Sequence, residues 1–163
     1  MMMKPKIEKA LNKQVNVEFS AFYSYLSMSA YFEFNYLPGS AHWFKVQANE
    51  EFEHAMKLNE YIIARGGKVV LLAIEAPKME WKSCLAVLEE AYAQELKVSA
   101  QINALVDLAK SENDHATEIM LQWFVTEQVE EENTANSNVE RLKLIKNATD
   151  EMTIFDRELG QRK

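Results

Sequence analysis

The chain has 163 residues, of which 48 % are apolar, and 25 acidic against 18 basic side chains give a formal net charge of −7. A single domain of this size can bury a sizeable core, which argues against a globally disordered chain, and the acidic balance disfavours a nucleic-acid partner. The one cysteine excludes an intrachain disulfide and favours a reducing, cytoplasmic location. The first residues show no signal-peptide pattern and no run of about 18 apolar residues exists, so we expect no membrane span.

Proline, glycine and capping residues divide the chain into five predicted helices. Pro5 and Pro38 each suit the first turn of a helix, and the pair Gly66-Gly67 suits a helix end. Two short breaks with Asn and Asp follow, the first of them at Asn113. We predict one all-α domain over 1–163, with helices at roughly 6–34, 39–65, 81–111, 114–147 and 151–159.

The connection between the second and third predicted helices is much longer than the others. Residues 67–80 show no helical period and can span about 46 Å when extended, whereas a helix of ~28 residues is about 42 Å long. The other long helices are joined by short loops and therefore pair as antiparallel hairpins. The sequence predicts a four-helix bundle with one long crossover and a short fifth helix. The apolar stretch 69–74 would lie on the outside, which indicates a subunit interface.

Polar side chains interrupt the apolar stripes of all four long helices. The interruptions are Glu18 in the first, Glu51 and His54 in the second, Glu95 in the third, and Gln128 and Glu131 in the fourth. Glu18 and His54 each lie 18 residues from the turn near position 36, and Glu95 and Glu131 each lie 18 from the turn near 113. At 1.5 Å per residue all four are about 27 Å from their turns. Aligned hairpins therefore place them in one layer of the core.

A helical wheel separates the acidic residues within each helix. At about 100° per residue, His54 stays on the apolar face with Glu51. Glu53 falls outward among polar residues, and Glu50 falls at the border of the face. In the fourth helix Glu130 is likewise a border residue. Only part of each acidic run is thus predicted to point inward.

A layer of buried carboxylates needs compensation. The carboxylates repel one another and lose hydration, at a cost of several kcal/mol per ion unless each is protonated, paired with a base or bound to a metal. The apolar stripes near this level contain no Arg or Lys. Four Glu with one His form a ligand set for two cations bridged by a carboxylate. Tyr25, one heptad after Glu18 on the same face, can donate a hydrogen bond or an electron to such a site.

Each of these features also has a plain structural explanation when taken alone. A single Glu on an apolar face is commonly a border residue, and a run such as Glu130 to Glu132 is typical of a solvated face. Asp114, His115 and Glu118 suit helix capping. The joint placement of ligands from four helices at one level favours a metal centre over a metal-free structural or cytokine-like bundle.

Four segments carry a resemblance to a known family. They are LNKQVNVEFSAFYSYLSMSAYF, VQANEEFEHAMKLNEYI, the pair Glu95-Leu96 and LQWFVTEQVEEE, and their order and spacing are more specific than any one of them. In these segments the chain resembles the non-haem ferritins of bacteria and archaea over essentially its whole length. The resemblance implies a ferritin-like bundle, a hollow 24-subunit shell that stores iron as a ferric mineral, and a ferroxidase centre inside each subunit.

Carried over residue by residue, the resemblance implies two iron sites and a third beside them. Glu18, Glu51 and His54 match the ligands of the first iron. Glu51 bridges to the second iron, which Glu95 and Glu131 complete. The remaining matches are Gln128 beside the site, Tyr25 near the centre, and a third iron site of Glu50, Glu127, Glu130 and Glu131.

Several differences separate the chain from haem-binding and DNA-protecting relatives. Bacterioferritin places a haem-ligating Met directly after the bridging Glu, where this chain has Phe52, so no haem is expected. Bacterioferritin also has a second E-x-x-H motif on the fourth helix, where the His position holds Glu130 here. The small DNA-protecting relatives bind iron between subunits and lack a fifth helix.

A carboxylate-bridged di-iron oxidase or peroxidase acting on another substrate is the alternative function. Such enzymes need an apolar substrate pocket or an added redox domain, and little of this chain lies outside the bundle. The expected substrates are Fe(II) and either O2 or H2O2, and the sequence leaves the choice of oxidant open.

Overall fold

The computed structural model describes residues 3–145 and 149–163 and consists mainly of helices. The five helices are α1 (Pro5–Phe34), α2 (Pro38–Ala64), α3 (Cys84–Ser111), α4 (His115–Leu144) and α5 (Thr149–Leu159). The predicted all-α class, with four long helices and a short fifth, is confirmed. Within the described ranges no helix is long and apolar enough to cross a membrane.

The third helix begins later than the sequence predicts, at position 84 rather than 81. Ser83 is its N-cap, because the Ser83 side chain accepts a hydrogen bond from the Ala86 N–H at 3.1 Å. Trp81 lies before the helix and donates its indole N–H to Glu90 at 2.8 Å. A capping side chain thus sets the start where periodicity alone gives an earlier position.

The fourth helix is shorter than predicted at both ends. Asp114 is the N-cap and accepts from the Thr117 N–H at 3.2 Å, so the helix begins one residue later, at His115. It ends at Leu144 because Ile145 adopts an extended conformation. Positions 146 and 147 of the predicted helix lie outside the described residues. The other helix ends match the prediction or differ from it by at most two residues.

The crossover between α2 and α3 runs the length of α1. Asn12 contacts the crossover first, donating to the Lys68 carbonyl at 2.9 Å and accepting from the Val70 N–H at 2.7 Å. Further along α1, Asn16 donates to the Ala73 carbonyl at 3.3 Å. Residues 65–83 therefore carry the chain from one end of the bundle to the other, and α2 and α3 lie parallel as predicted.

The core consists of two apolar clusters, one near each end of the bundle. One contains Tyr25, Met28, Phe32, Phe44, Val87, Leu88 and Val139, and the other contains Ile7, Leu11, Leu58, Ile62, Ile102, Leu121 and Phe124. In each long helix the polar interruptions fall between the residues of these two clusters. A polar layer thus divides the core.

Helix α5 caps the start of α2. The Asp156 carboxylate accepts hydrogen bonds from the Gly39 N–H at 3.0 Å and from the Ser40 N–H and hydroxyl, both at 2.7 Å. The first turn of α2 has no capping side chain of its own, so α5 supplies the acceptor and the negative charge that a helix N-terminus favours. The approach requires glycine, because a Cβ on Gly39 would lie 1.8 Å from the Asp156 carbonyl oxygen.

Candidate metal centre

One carboxylate from each long helix reaches the polar layer that divides the core. Glu18 comes from α1, Glu51 from α2, Glu95 from α3 and Glu131 from α4, and each is at most 6 % exposed. His54 joins them from α2 and is also buried. The predicted five-residue layer is therefore present as a buried cluster at the centre of the bundle.

Three of these residues are close enough to bind one cation. Glu18, Glu51 and His54 each offer a ligand atom, and the three atoms lie within 4.8 Å of one another. The His54 Nδ1 lies 3.3 Å from a Glu51 carboxylate oxygen. The i, i+3 spacing of Glu51 and His54 puts both on the same side of α2, facing Glu18 across the hairpin.

A second group forms on the α4 side of the layer. His54, Glu127 and Glu131 also bring ligand atoms within 4.8 Å of one another. Glu127 is half-buried, so this group extends from the core toward the surface. The family resemblance assigns Glu127 to the third iron site. The structure places Glu127 beside His54, a residue of the central layer.

The other residues of the predicted third site are not part of either group. Glu130 is exposed, and Glu50 pairs with the Arg162 guanidinium. Glu95 belongs to the buried layer, but among the described residues it is part of neither group of close ligand atoms. The structure therefore brings together Glu127 and Glu131 of that predicted set and does not bring Glu50 or Glu130 to them.

Hydrogen-bond donors hold the Glu95 side chain in place. The Tyr25 hydroxyl donates to one Glu95 carboxylate oxygen. The Gln128 amide donates to the other at 3.2 Å, and also contacts the Glu95 carbonyl and the Ser99 hydroxyl. Tyr25 and Gln128, both singled out from the sequence, thus orient a carboxylate of the layer.

Two further glutamines support the layer and were missed by the sequence reasoning. Gln14 donates to Glu18 at 2.8 Å, and Gln47 donates to both Glu51, at 3.1 Å, and Glu131, at 2.8 Å. In each case the Gln precedes a layer Glu on its own helix by four residues, one turn away on the same face. That spacing is a signal the sequence contains.

Burial raises the pKa of the layer carboxylates. It raises the pKa of Glu18 to about 8, with the charge of Glu51 as the next cause, and the pKa of Glu131 to about 7, with Glu95 as the next cause. Burial also raises the pKa of Glu51 well above its ordinary range and raises that of Glu95. The pKa of the Tyr25 hydroxyl is raised as well, mainly by burial and then by Glu95, so Tyr25 keeps its proton at neutral pH and acts as a hydrogen-bond donor.

The layer lacks a basic partner strong enough to neutralise it. Across the described residues its carboxylates form no ion pair with a Lys or Arg, and His54 with Glu51 is its one pair. One Glu18 oxygen, Oε2, is buried without a hydrogen-bond partner. A buried carboxylate in that state must hold a proton or bind a cation, and carboxylates with one imidazole can bind several first-row transition metals, iron among them.

The chain matches known proteins over nearly its full length. The family model described as "Ferritin: Ferritin-like domain" matches residues 8–145. A protein named "Bacterial non-heme ferritin" from Bacteroides fragilis (strain 638R) is 43 % identical over 99 % of this chain and 100 % of its own length. A protein of the same name from Staphylococcus aureus (strain USA300) is 34 % identical over 99 % of this chain and 97 % of its own.

Solved structures match the fold as closely. An open pore ferritin from the hyperthermophilic archaeon Archaeoglobus fulgidus superposes with a TM-score of 0.98, at 43 % identity and 99 % coverage of both chains. An engineered closed form of the same ferritin gives a TM-score of 0.97, at 43 % identity, with 99 % of this chain and 98 % of that chain covered.

Proposed function

The chain belongs to the ferritin family, in its bacterial and archaeal non-haem branch of iron-storage proteins, and we propose that it oxidises Fe(II) to Fe(III) inside each subunit before storing it. The observation that carries the proposal is the buried layer in which Glu18, Glu51 and His54 approach within 4.8 Å of one another, while no Lys or Arg of the described residues pairs with these carboxylates. Fe(II) entering this layer supplies the missing positive charge.

The first proposed iron site follows from one group of close ligand atoms, and the second follows from the resemblance and from the burial of Glu95 and Glu131 in the same layer. Glu18, Glu51 and His54 hold one Fe(II), and Glu51 bridges to a second Fe(II) held by Glu95 and Glu131. The proximity of Glu127 to Glu131 supports Glu127 as the first ligand of a third site on the way out of the bundle. Glu130 and Glu50 complete that site only if their side chains move toward it.

The reaction takes one electron from each of two Fe(II) ions. With O2 and two protons the products are two Fe(III) and one H2O2, and with H2O2 and two protons they are two Fe(III) and two H2O. Carboxylates favour the harder, more highly charged Fe(III) over Fe(II), so the ligand set promotes the oxidation. Because the layer carboxylates hold protons when no cation is bound, binding of Fe(II) releases protons from them.

The proposal includes an assembly and a location. We propose a 24-subunit shell in the cytoplasm, with the ferric mineral in its cavity and with Fe(II) and O2 or H2O2 as the substrates. No nucleic-acid or membrane partner is part of it. No haem is part of it either, because Phe52 occupies the position after the bridging Glu51 and packs against two other aromatic rings, those of Phe19 and Phe22.

Replacing Glu18 and Glu131 together by Ala tests the proposed oxidation site. The double variant loses one ligand from each proposed iron, so the fast phase of Fe(II) oxidation in stopped-flow absorption should disappear. The matched control is Glu53→Ala with Glu60→Ala, two exposed carboxylates of α2, which should leave that phase unchanged. Normal fast oxidation by the Glu18 and Glu131 double variant would overturn the assignment.

A further inference from the structure

Arg162, just beyond α5, lies against the outer edge of the polar layer. Its guanidinium stacks 4.5 Å above the Trp43 ring and pairs with Glu50. It also donates to the Gln47 Oε1 at 2.8 Å, and the Arg162 carbonyl is 2.8 Å from His42 Nε2. Every one of these partners lies on α2, so the contacts attach the segment after α5 to one side of that helix.

Gln47 connects Arg162 to the carboxylate layer. Its amide is fully buried, with its oxygen on Arg162 and its NH2 group shared between Glu51 and Glu131. These two carboxylates belong to different helices, α2 and α4. One side chain thus spans the distance between a half-buried arginine and two proposed iron ligands.

The hydrogen-bond chemistry allows only one orientation of the Gln47 amide. A guanidinium has donors and no acceptor, whereas a carboxyl group keeps an acceptor oxygen whether or not it holds a proton. A flipped amide would point its NH2 group at the donors of Arg162 and would lose the two hydrogen bonds that Gln47 donates to Glu51 and Glu131. Arg162 therefore selects the orientation in which Gln47 donates to both carboxylates and separates them.

We propose that Arg162 is a positioning residue for the proposed iron site, acting through Gln47 to hold Glu51 and Glu131 at their separation before metal binds. The inference rests on the proposed function, since it concerns the same ligands. The i, i+4 spacing in the sequence indicates that Gln47 lies beside Glu51, but nothing in the sequence indicates a role for Arg162, which follows the last predicted helix.

Metal affinity measured without turnover tests the proposal. Residues that orient metal ligands typically contribute 10- to 100-fold to affinity, so Arg162→Gln should weaken the tight Zn(II) sites about tenfold in calorimetric titration. The matched control is Lys163→Gln, which removes the same charge from the next, exposed residue and should change the dissociation constant less than twofold. Helical circular dichroism and thermal unfolding verify that each variant is folded.

A double-mutant cycle separates positioning from a purely structural role. If Arg162 acts through Gln47, then Arg162→Gln should change the Zn(II) affinity less than twofold in a Gln47→Met background. An unchanged affinity in the single variant, or a full tenfold loss that persists without Gln47, would overturn the inference. Absence of tight Zn(II) binding in the unsubstituted protein would instead overturn the proposed function itself.

Discussion

Glu18 shows at the scale of one residue why the polar layer needs a cation. One of its oxygens accepts from Gln14 at 2.8 Å, and the other is buried without a partner in the described part of the chain. Neutral donors are therefore too few to stabilise the ionised group. In the metal-free protein a proton takes that role, which gives folding stability a definite pH dependence.

The metal-free protein should lose stability as the pH rises. Folding raises the pKa of Glu18 from 4.5 to about 8 and that of Glu131 from 4.5 to about 7, so between these values the folded state binds more protons than the unfolded state. The free energy of unfolding then decreases with rising pH. We expect a lower melting temperature at pH 8 than at pH 5.5 in chelator-treated protein.

The slope of this pH dependence identifies its source. The Glu18→Gln variant has a side chain that cannot ionise at this position. Its melting temperature should therefore decrease less between pH 5.5 and pH 8 than that of the unsubstituted protein. Glu53→Gln, a change of the exposed carboxylate on α2, should leave the slope unchanged. An equal slope in all three proteins would show that Glu18 does not hold the proton.

The inward residues of the layer could be predicted from the sequence, together with Tyr25 and Gln128 beside them, but the other supports were not. Glu51 and His54 face inward because the helical period fixes their direction once the apolar stripe is known. Gln47 lies on that stripe too, one turn before Glu51, but its role is seen only from its contacts with Glu51 and Glu131. The position of Arg162 depends on how α5 docks, and no local pattern encodes that docking.

Helix α5 shows how a short polar helix can be oriented by its partners. Its sequence carries too little apolar surface to set its direction, so neither its role nor its position followed from periodicity. In the structure Phe155 and Leu159 join the core, and Asp156 caps the first turn of α2. The four long helices, by contrast, each have a long apolar stripe that is interrupted only at the polar layer, and their pairing followed from loop lengths.

Removal of the Asp156 cap should destabilise the protein. Asp156→Ala leaves the Gly39 and Ser40 N–H groups without their acceptor, and loss of a helix N-cap costs typically about 1 kcal/mol. We expect the free energy of unfolding, measured by denaturant titration, to be lower by about that amount. Arg157→Ala, at the next, exposed position of α5, should shift the free energy of unfolding by less than about 0.5 kcal/mol. Equal shifts in the two variants would contradict the capping role.

At the scale of the whole molecule, the crossover presents apolar surface that the single chain does not cover. Val70, Leu71 and Leu72 are 44 %, 70 % and 52 % exposed. Asn12 and Asn16 fix the backbone of this segment against α1, so the exposed side chains form part of a rigid surface. An exposed apolar strip on a rigid surface is typical of a subunit contact.

A charge within this strip should disrupt the proposed shell. Leu71→Glu places an unpaired carboxylate in an apolar contact, which is costly to bury. We expect size-exclusion chromatography with light scattering to show small species instead of a particle of about 450 kDa, the mass of 24 chains of 18.8 kDa. Leu71→Met keeps the strip apolar and should leave the particle intact. A small dimer in the unsubstituted protein would instead favour the di-iron oxidase alternative.

The long crossover also determines at which step of folding the polar layer can form. The two hairpins, α1 with α2 and α3 with α4, fold through contacts that are local in sequence, whereas docking them requires closure of the 65–83 connection. Glu18, Glu51 and His54 come from the first hairpin, and Glu95 and Glu131 from the second. The first hairpin by itself therefore contains the ligands of one proposed iron, and the complete proposed ligand set is assembled only at the docking step. Cation binding then shifts the docking equilibrium toward the native arrangement.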